Sequence, residues 1–109
     1  MIETLLGNKT AERVLLYIVN YGEGNISGIA NTFDMAKSQV RKQLLRLESG
    51  GILTGRDLGN LRMFALNPRY PLRTEVERLC EKALNLISEE EKAKFYRQRR
   101  RPRRTGKAL

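Results

Sequence analysis

The chain has 109 residues, 40% of them hydrophobic, and carries 21 Lys/Arg against 12 Asp/Glu, for a net charge of +9. One small domain with one core and some spare chain fits that length. A single Cys with no His excludes an internal disulfide, a thiolate or imidazole zinc site and the usual general base for a nucleophile, so neither an enzyme nor a cofactor or metal is expected.

Asn8 is suited to cap a helix over Lys9-Thr10-Ala11-Glu12, and Ala11, Val14, Leu15, Ile18 and Val19 recur at the spacing of one helical face until Gly22 and Gly24 end the run. Val14 to Val19 is also the longest apolar run, far short of the ~20 residues that cross a membrane. The start Met1-Ile2-Glu3 lacks the cationic opening of a signal peptide, so a cytoplasmic, nucleoid-associated chain without a membrane partner is expected. Asn25 can cap a short second helix with Ile26, Ile29, Ala30 and Phe33 inside, and only Asp34-Met35-Ala36 precede the next periodic run. Helices joined by so short a turn must cross steeply.

The third predicted helix lies in "MAKSQVRKQLLRLESGGIL", residues 35 to 53. With Val40, Leu44 and Leu47 inward, at ~100° per residue the opposite face carries Ser38, Lys42 and Leu45, flanked by Gln39, Arg41 and Arg46, and Lys37 opens the helix. None of these is acidic, whereas a solvated face ordinarily mixes both signs. Residues 36–73 as a whole carry eight basic and two acidic side chains, while residues 1–35 (two against four) and 74–91 (two against six) lean acidic.

Two short runs follow, Ile52 to Leu58 and Leu61 to Leu66, separated by Gly59-Asn60, a two-residue hairpin signal. That turn pairs Leu58 with Leu61 and Asp57 with Arg62, placing Arg56 and Arg62 near the tip beside a leucine pair with no core beneath it. Phe64 and Leu66 are expected to fold back on the helices. Pro71 can sit in the first turn of a fourth helix, where Leu72, Val76, Leu79, Cys80, Ala83, Leu86 and Ile87 form one wide apolar stripe. A stripe that wide exceeds what a three-helix core covers, so a homodimer through Leu72, Val76, Leu79, Ala83 and Leu86 is expected, with Cys80 as a small packing residue.

Ser88-Glu89-Glu90-Glu91 matches a capping box for a further helix to about Arg100, before Pro102. Residues 92–109 hold nine Lys/Arg and no Asp/Glu, and the end "RQRRRPRRTGKAL" lacks apolar residues to fold on. It reads as a basic, disordered tail in which Arg99, Arg100, Arg101, Arg103 and Arg104 are candidates for phosphate contact.

Three helices and a hairpin, with a short turn between the second and third helices, are the order of a winged helix-turn-helix. "IANTFDMAKSQVRKQLLRLESGGIL" followed by "GNLRMFALNP" resembles the DNA-binding region of bacterial and archaeal ArsR/MarR-type regulators over about residues 5 to 87. The matching positions are Ala30, Val40, Leu44, Leu47, Ile52-Leu53, Phe64 and Leu66. Asp34 stands where that pattern usually has Gly, Ala36 where it usually has a Ser or Thr cap, and the clusters needed by metal-sensing members are missing.

The fold expected is therefore mainly α with a small β-hairpin: a winged helix-turn-helix with its post-wing helix over residues 1–87, then a charged helix and basic tail over 88–109. The resemblance implies a dimeric, sequence-specific transcriptional regulator of a prokaryote binding double-stranded DNA. Ser38, Gln39, Arg41, Lys42 and Arg46 would lie in the major groove, with Lys37 fixing position and Arg56 and Arg62 on an adjacent backbone or minor groove. Two alternatives stay open: RNA or non-specific nucleic-acid binding dominated by the tail, and a protein-interaction module using Leu58 and Leu61.

Overall fold

The computed structural model describes residues 1–97; the arginine candidates 99, 100, 101, 103 and 104 lie outside the described residues. The elements run α1 (Glu3–Leu6), α2 (Lys9–Tyr21), α3 (Ile26–Phe33), α4 (Lys37–Ser49), β1 (Leu53–Leu58), β2 (Leu61–Leu66), α5 (Arg73–Leu86) and α6 (Glu89–Phe95). Among the described residues no helix is long and apolar enough to cross a membrane.

α2 is the hub. Asn8 Oδ1 accepts from the Ala11 amide at 2.7 Å and so satisfies one of the open donors at its start. It touches α1, α4, α5 and β2, which is why Leu16 is buried together with the expected Ala11, Val14, Leu15 and Ile18. Asn25 caps α3 in the same way, accepting from the Gly28 amide at 2.7 Å. The turn into α4 closes through Asp34, whose φ of 54° and ψ of 56° lie in the left-handed region that Asp visits more readily than most residues. Ile29, Ala30 and Phe33 of α3 then meet Val40, Leu44 and Leu47 of α4 in one core.

The hairpin has the expected register, with Leu58 opposite Leu61 and Asp57 opposite Arg62. Its base is tied to the body by a bridge in which the Gly24 amide donates to the Phe64 carbonyl at 2.9 Å and the Phe64 amide to the Gly24 carbonyl at 2.8 Å. Phe64 and Leu53 are buried there. At ~1.5–3 kcal/mol for each large apolar side chain fully buried, those two residues hold the wing on the helices.

The region after the wing departs from expectation twice. Ala83, expected in an inter-chain contact, is only 2% exposed within the single chain. Together with Cys80 it forms the inner side of α5 in the common core. Val76 is half-buried against the same core, whereas Leu72, Leu79 and Leu86 remain exposed. The second departure is at the end of α6. Ser88 caps it as expected, with Oγ accepting from the Glu91 amide at 3.1 Å, yet the helix stops at Phe95 rather than near Arg100.

Two aromatic residues account for that stop. Phe95 and Tyr96 pack their rings on Phe33 at centroid distances of 4.9 and 5.8 Å. Asn20 Nδ2 donates to the Tyr96 carbonyl and the Tyr21 hydroxyl to the Phe95 carbonyl, both at 3.0 Å. These are acceptors that a helix end leaves open, so side chains of α2 terminate α6 here. Tyr96 is 4% exposed and belongs to the core, which therefore extends past Ile87. Burial is the main reason its phenol is pushed well above the ordinary tyrosine range.

Candidate nucleic-acid interface

The outer face of α4 follows from its inner one. Val40, Leu44 and Leu47 are buried, which turns Lys37, Ser38, Gln39, Arg41 and Lys42 to solvent, all exposed. Among the described residues none of these five side chains has an ion pair or hydrogen bond. Ala36 offers no side-chain cap and the first turn has no acidic residue, so the first amides of the helix stay available beside Lys37 and Ser38. A helix start with open N–H groups and the positive end of the dipole favours phosphate oxygens. Arg41 and Lys42 stand one turn further on, within reach of base edges if the helix lies in a groove.

Arg46 does not join them. Its Nε donates to Gln43 Oε1 at 3.0 Å and one terminal nitrogen donates to the Leu6 carbonyl at 2.8 Å. The side chain thereby ties α4 to the end of α1, an element that periodicity does not indicate. Arg46 is a structural brace rather than a free cation.

The wing arginines are also engaged. Arg62 lies between Glu48 of α4 (2.7 Å) and Asp57 across the hairpin (3.0 Å), and its guanidinium sits 5.7 Å from the Phe64 ring centroid. Glu48 first, then Asp57, raise its already high pKa. The path is open because residue 55 is Gly: a Cβ there would stand 2.8 Å from Arg62 Nε. Arg56 reaches Glu23 in the α2–α3 loop at 3.0 Å, both ends of that pair being solvent-exposed. Of the arginine and lysine candidates within the described residues, the structure therefore leaves Lys37, Arg41 and Lys42 free and engages Arg46, Arg56 and Arg62. No local pattern marks Glu23, Glu48 or Leu6 as partners; only the Asp57–Arg62 pairing follows from the hairpin register.

Cys80 has no reactive setting. It is free and buried, and burial, helped by Glu81, Glu12 and Glu77, pushes its thiol up to about 12. Among the described residues no group of three or more Cys, Asp or Glu side chains is placed to hold a metal ion.

No family model and no curated protein matches the chain. Solved structures do. Reduced HlyU from Vibrio cholerae N16961 is 16% identical, with 79% of this chain and 84% of that one covered at a TM-score of 0.64. The YusO protein from Bacillus subtilis is 20% identical, with 83% and 70% covered at a TM-score of 0.57. A C30AH42A mutant of Lactococcus lactis ZitR in apo form is 18% identical, with 78% and 73% covered at a TM-score of 0.52. With α3 and α4 meeting across the Asp34 turn and the β1–β2 hairpin following α4, the described residues form a winged helix-turn-helix.

Proposed function

We propose that the chain is a sequence-specific DNA-binding transcriptional regulator acting as a homodimer, with α4 in the major groove of double-stranded DNA. One observation carries the reading: a winged helix-turn-helix whose α4 presents Lys37, Ser38, Gln39, Arg41 and Lys42 to solvent without a carboxylate or an internal partner. The similar structures are of winged-helix transcription regulators, which supports a DNA-binding regulator in general. In this reading Lys37 and Ser38 hold phosphate, while Gln39 and Arg41 or Lys42 read base edges. Arg56 contacts backbone after leaving Glu23, and the basic residues 99–104 add phosphate contacts that carry no sequence information.

The dimer reading rests on Leu72, Leu79 and Leu86, the part of the α5 stripe that the chain's own core leaves exposed. A two-fold protein then calls for a two-fold site. Binding selection from a randomised duplex library at two salt concentrations, with structured RNA in competition, tests the function. Recovery of one recurrent, palindromic motif is expected; equal retention of random DNA and RNA would assign the chain to non-specific binding. Leu79→Glu with Leu86→Glu should convert dimers to monomers in sedimentation, and a monomeric native chain at tens of micromolar would remove the dimer.

A further inference from the structure

The two faces of the wing are the reverse of what a solvated hairpin calls for. Thr54, Arg56, Leu58, Leu61, Met63 and Ala65 share one face, because they are cross-strand partners and side chains alternate along a strand. Leu53 and Phe64 are buried on the other face. An antiparallel pair packed on one side ordinarily shows polar groups on its second side. Here the second side carries four apolar residues, with Leu58 and Leu61 at the tip 44% and 45% exposed, while on the packed side Arg62 pairs with an exposed Asp57 and reaches Glu48 of α4.

We propose that the wing tip is a minor-groove wedge: Leu58 and Leu61 enter at a base step of duplex DNA and kink it, and Arg56 exchanges Glu23 for a phosphate beside the insertion. The inference rests on the DNA reading of α4. Three observations favour DNA as the occupant. None of the hairpin's own outward residues is a carboxylate, and their one charge, Arg56, is paired with Glu23 of the α2–α3 loop in an ion pair exposed at both ends, the kind that contributes little and exchanges readily. The tip is thin, because a two-residue turn of Gly59 and Asn60 follows Leu58, and the Asn60 carboxamide can donate to the N3 and O2 acceptors that line the minor groove. The wing is also braced to the last turn of α4 through Arg62 and Glu48 at 2.7 Å, so it is held in a fixed position relative to that helix. Unstacking a step is costly, and a wedge must be stiff to impose it; the ladder and the Arg62 brace supply that stiffness.

The test uses a duplex recovered by selection on the full chain, end-labelled for energy transfer, with 2-aminopurine at candidate steps. The native chain should bend it by about 20–90° and brighten one 2-aminopurine position. Leu58→Ser with Leu61→Ser should abolish both signals and weaken binding roughly tenfold while the selected motif is unchanged, and Leu61→Met should retain both signals. Circular dichroism of the double variant should match the native chain, since both side chains are exposed. If the folded double variant bends the duplex as the native chain does, the wedge is wrong. Selection of a motif without bending by the native chain removes the wedge and leaves the α4 reading standing; failure to select any duplex removes both. A fall in the DNA-free oligomeric mass on introducing the two serines would assign the face to a second copy and overturn the proposal.

Discussion

The α4 face and the wing are both rich in arginine or lysine, yet they hold their charges differently. On α4, Lys37, Arg41 and Lys42 extend into solvent without partners among the described residues. On the wing, Arg56 and Arg62 are each engaged with carboxylates from elsewhere in the chain. A count of basic residues alone would register both regions as cationic. Their readiness for a phosphate differs, because a paired guanidinium must first give up its carboxylate and a free one need not.

The largest expected effect strips away the third basic region so that the other two can be compared alone. Deleting residues 98–109 should weaken binding to a selected and a scrambled duplex by similar factors. It should also flatten the salt dependence of both by several units, at ~0.9 for each phosphate that is no longer neutralised, as read from affinity over a salt series. Loss of the sequence preference with random-DNA affinity intact would make the tail a sequence reader instead. Next in size, Arg41→Ala and Lys42→Ala should each cost about 1–3 kcal/mol of specific affinity where the native side chain grips a base edge with two hydrogen bonds. Urea midpoints should be unchanged, since neither side chain touches the core. Unaltered affinity in both would break the distinction drawn for α4.

A smaller effect is expected on the wing. Glu48→Gln should cost about 1 kcal/mol of stability, because the ion pair it removes is partly solvent-exposed, with side-chain exposures of 41% at Arg62 and 26% at Glu48. With the Arg62 brace weakened, the wing should bend a selected duplex less, while the released guanidinium tightens binding to random duplex and steepens its salt slope by up to ~0.9. Unchanged bending would mean that the hairpin ladder alone supplies the wing's stiffness. The smallest effect is a control on all the others. Cys80, with its thiol raised to about 12 by burial, should resist iodoacetamide at pH 8 in every variant that stays folded and react on unfolding. The sign follows: a raised thiol pKa contributes stability below the unfolded value near 9 and loses it as pH climbs from there toward about 12. Rapid labelling of a variant at pH 8 would show that its binding defect reflects a damaged core.

Much of this arrangement is legible in the sequence because it is local. The stripe of Val40, Leu44 and Leu47 dictates which α4 residues face out, and the Gly59–Asn60 turn sets every pair in the hairpin. What escapes is long-range. Periodicity marks Ala83 as apolar but does not say whether α2 or a second chain covers it. No spacing rule joins Arg46 to Leu6, 40 residues away, or Arg62 to Glu48, 14 residues away. The same holds for Phe33 against Phe95 and Tyr96. The capping box that starts α6 is plain in the sequence, whereas its end depends on Asn20 and Tyr21, side chains of a helix near the other end of the chain.

Gly55 gives the wing an unexpected place at which selection or engineering can act. A methyl group there would fall 2.8 Å from Arg62 Nε, and a flexible guanidinium yields to such a group more easily than backbone does. The least change that alters the wing's usable charge is therefore made at an uncharged position: Gly55→Ala displaces Arg62 from Glu48 and Asp57 without adding or removing a single ionisable group. Positions 55 and 62 should accordingly vary together among descendants of this sequence. Glycine would accompany an arginine kept as a brace, and larger residues at 55 would accompany either a shorter side chain at 62 or a wing that binds nucleic acid less selectively.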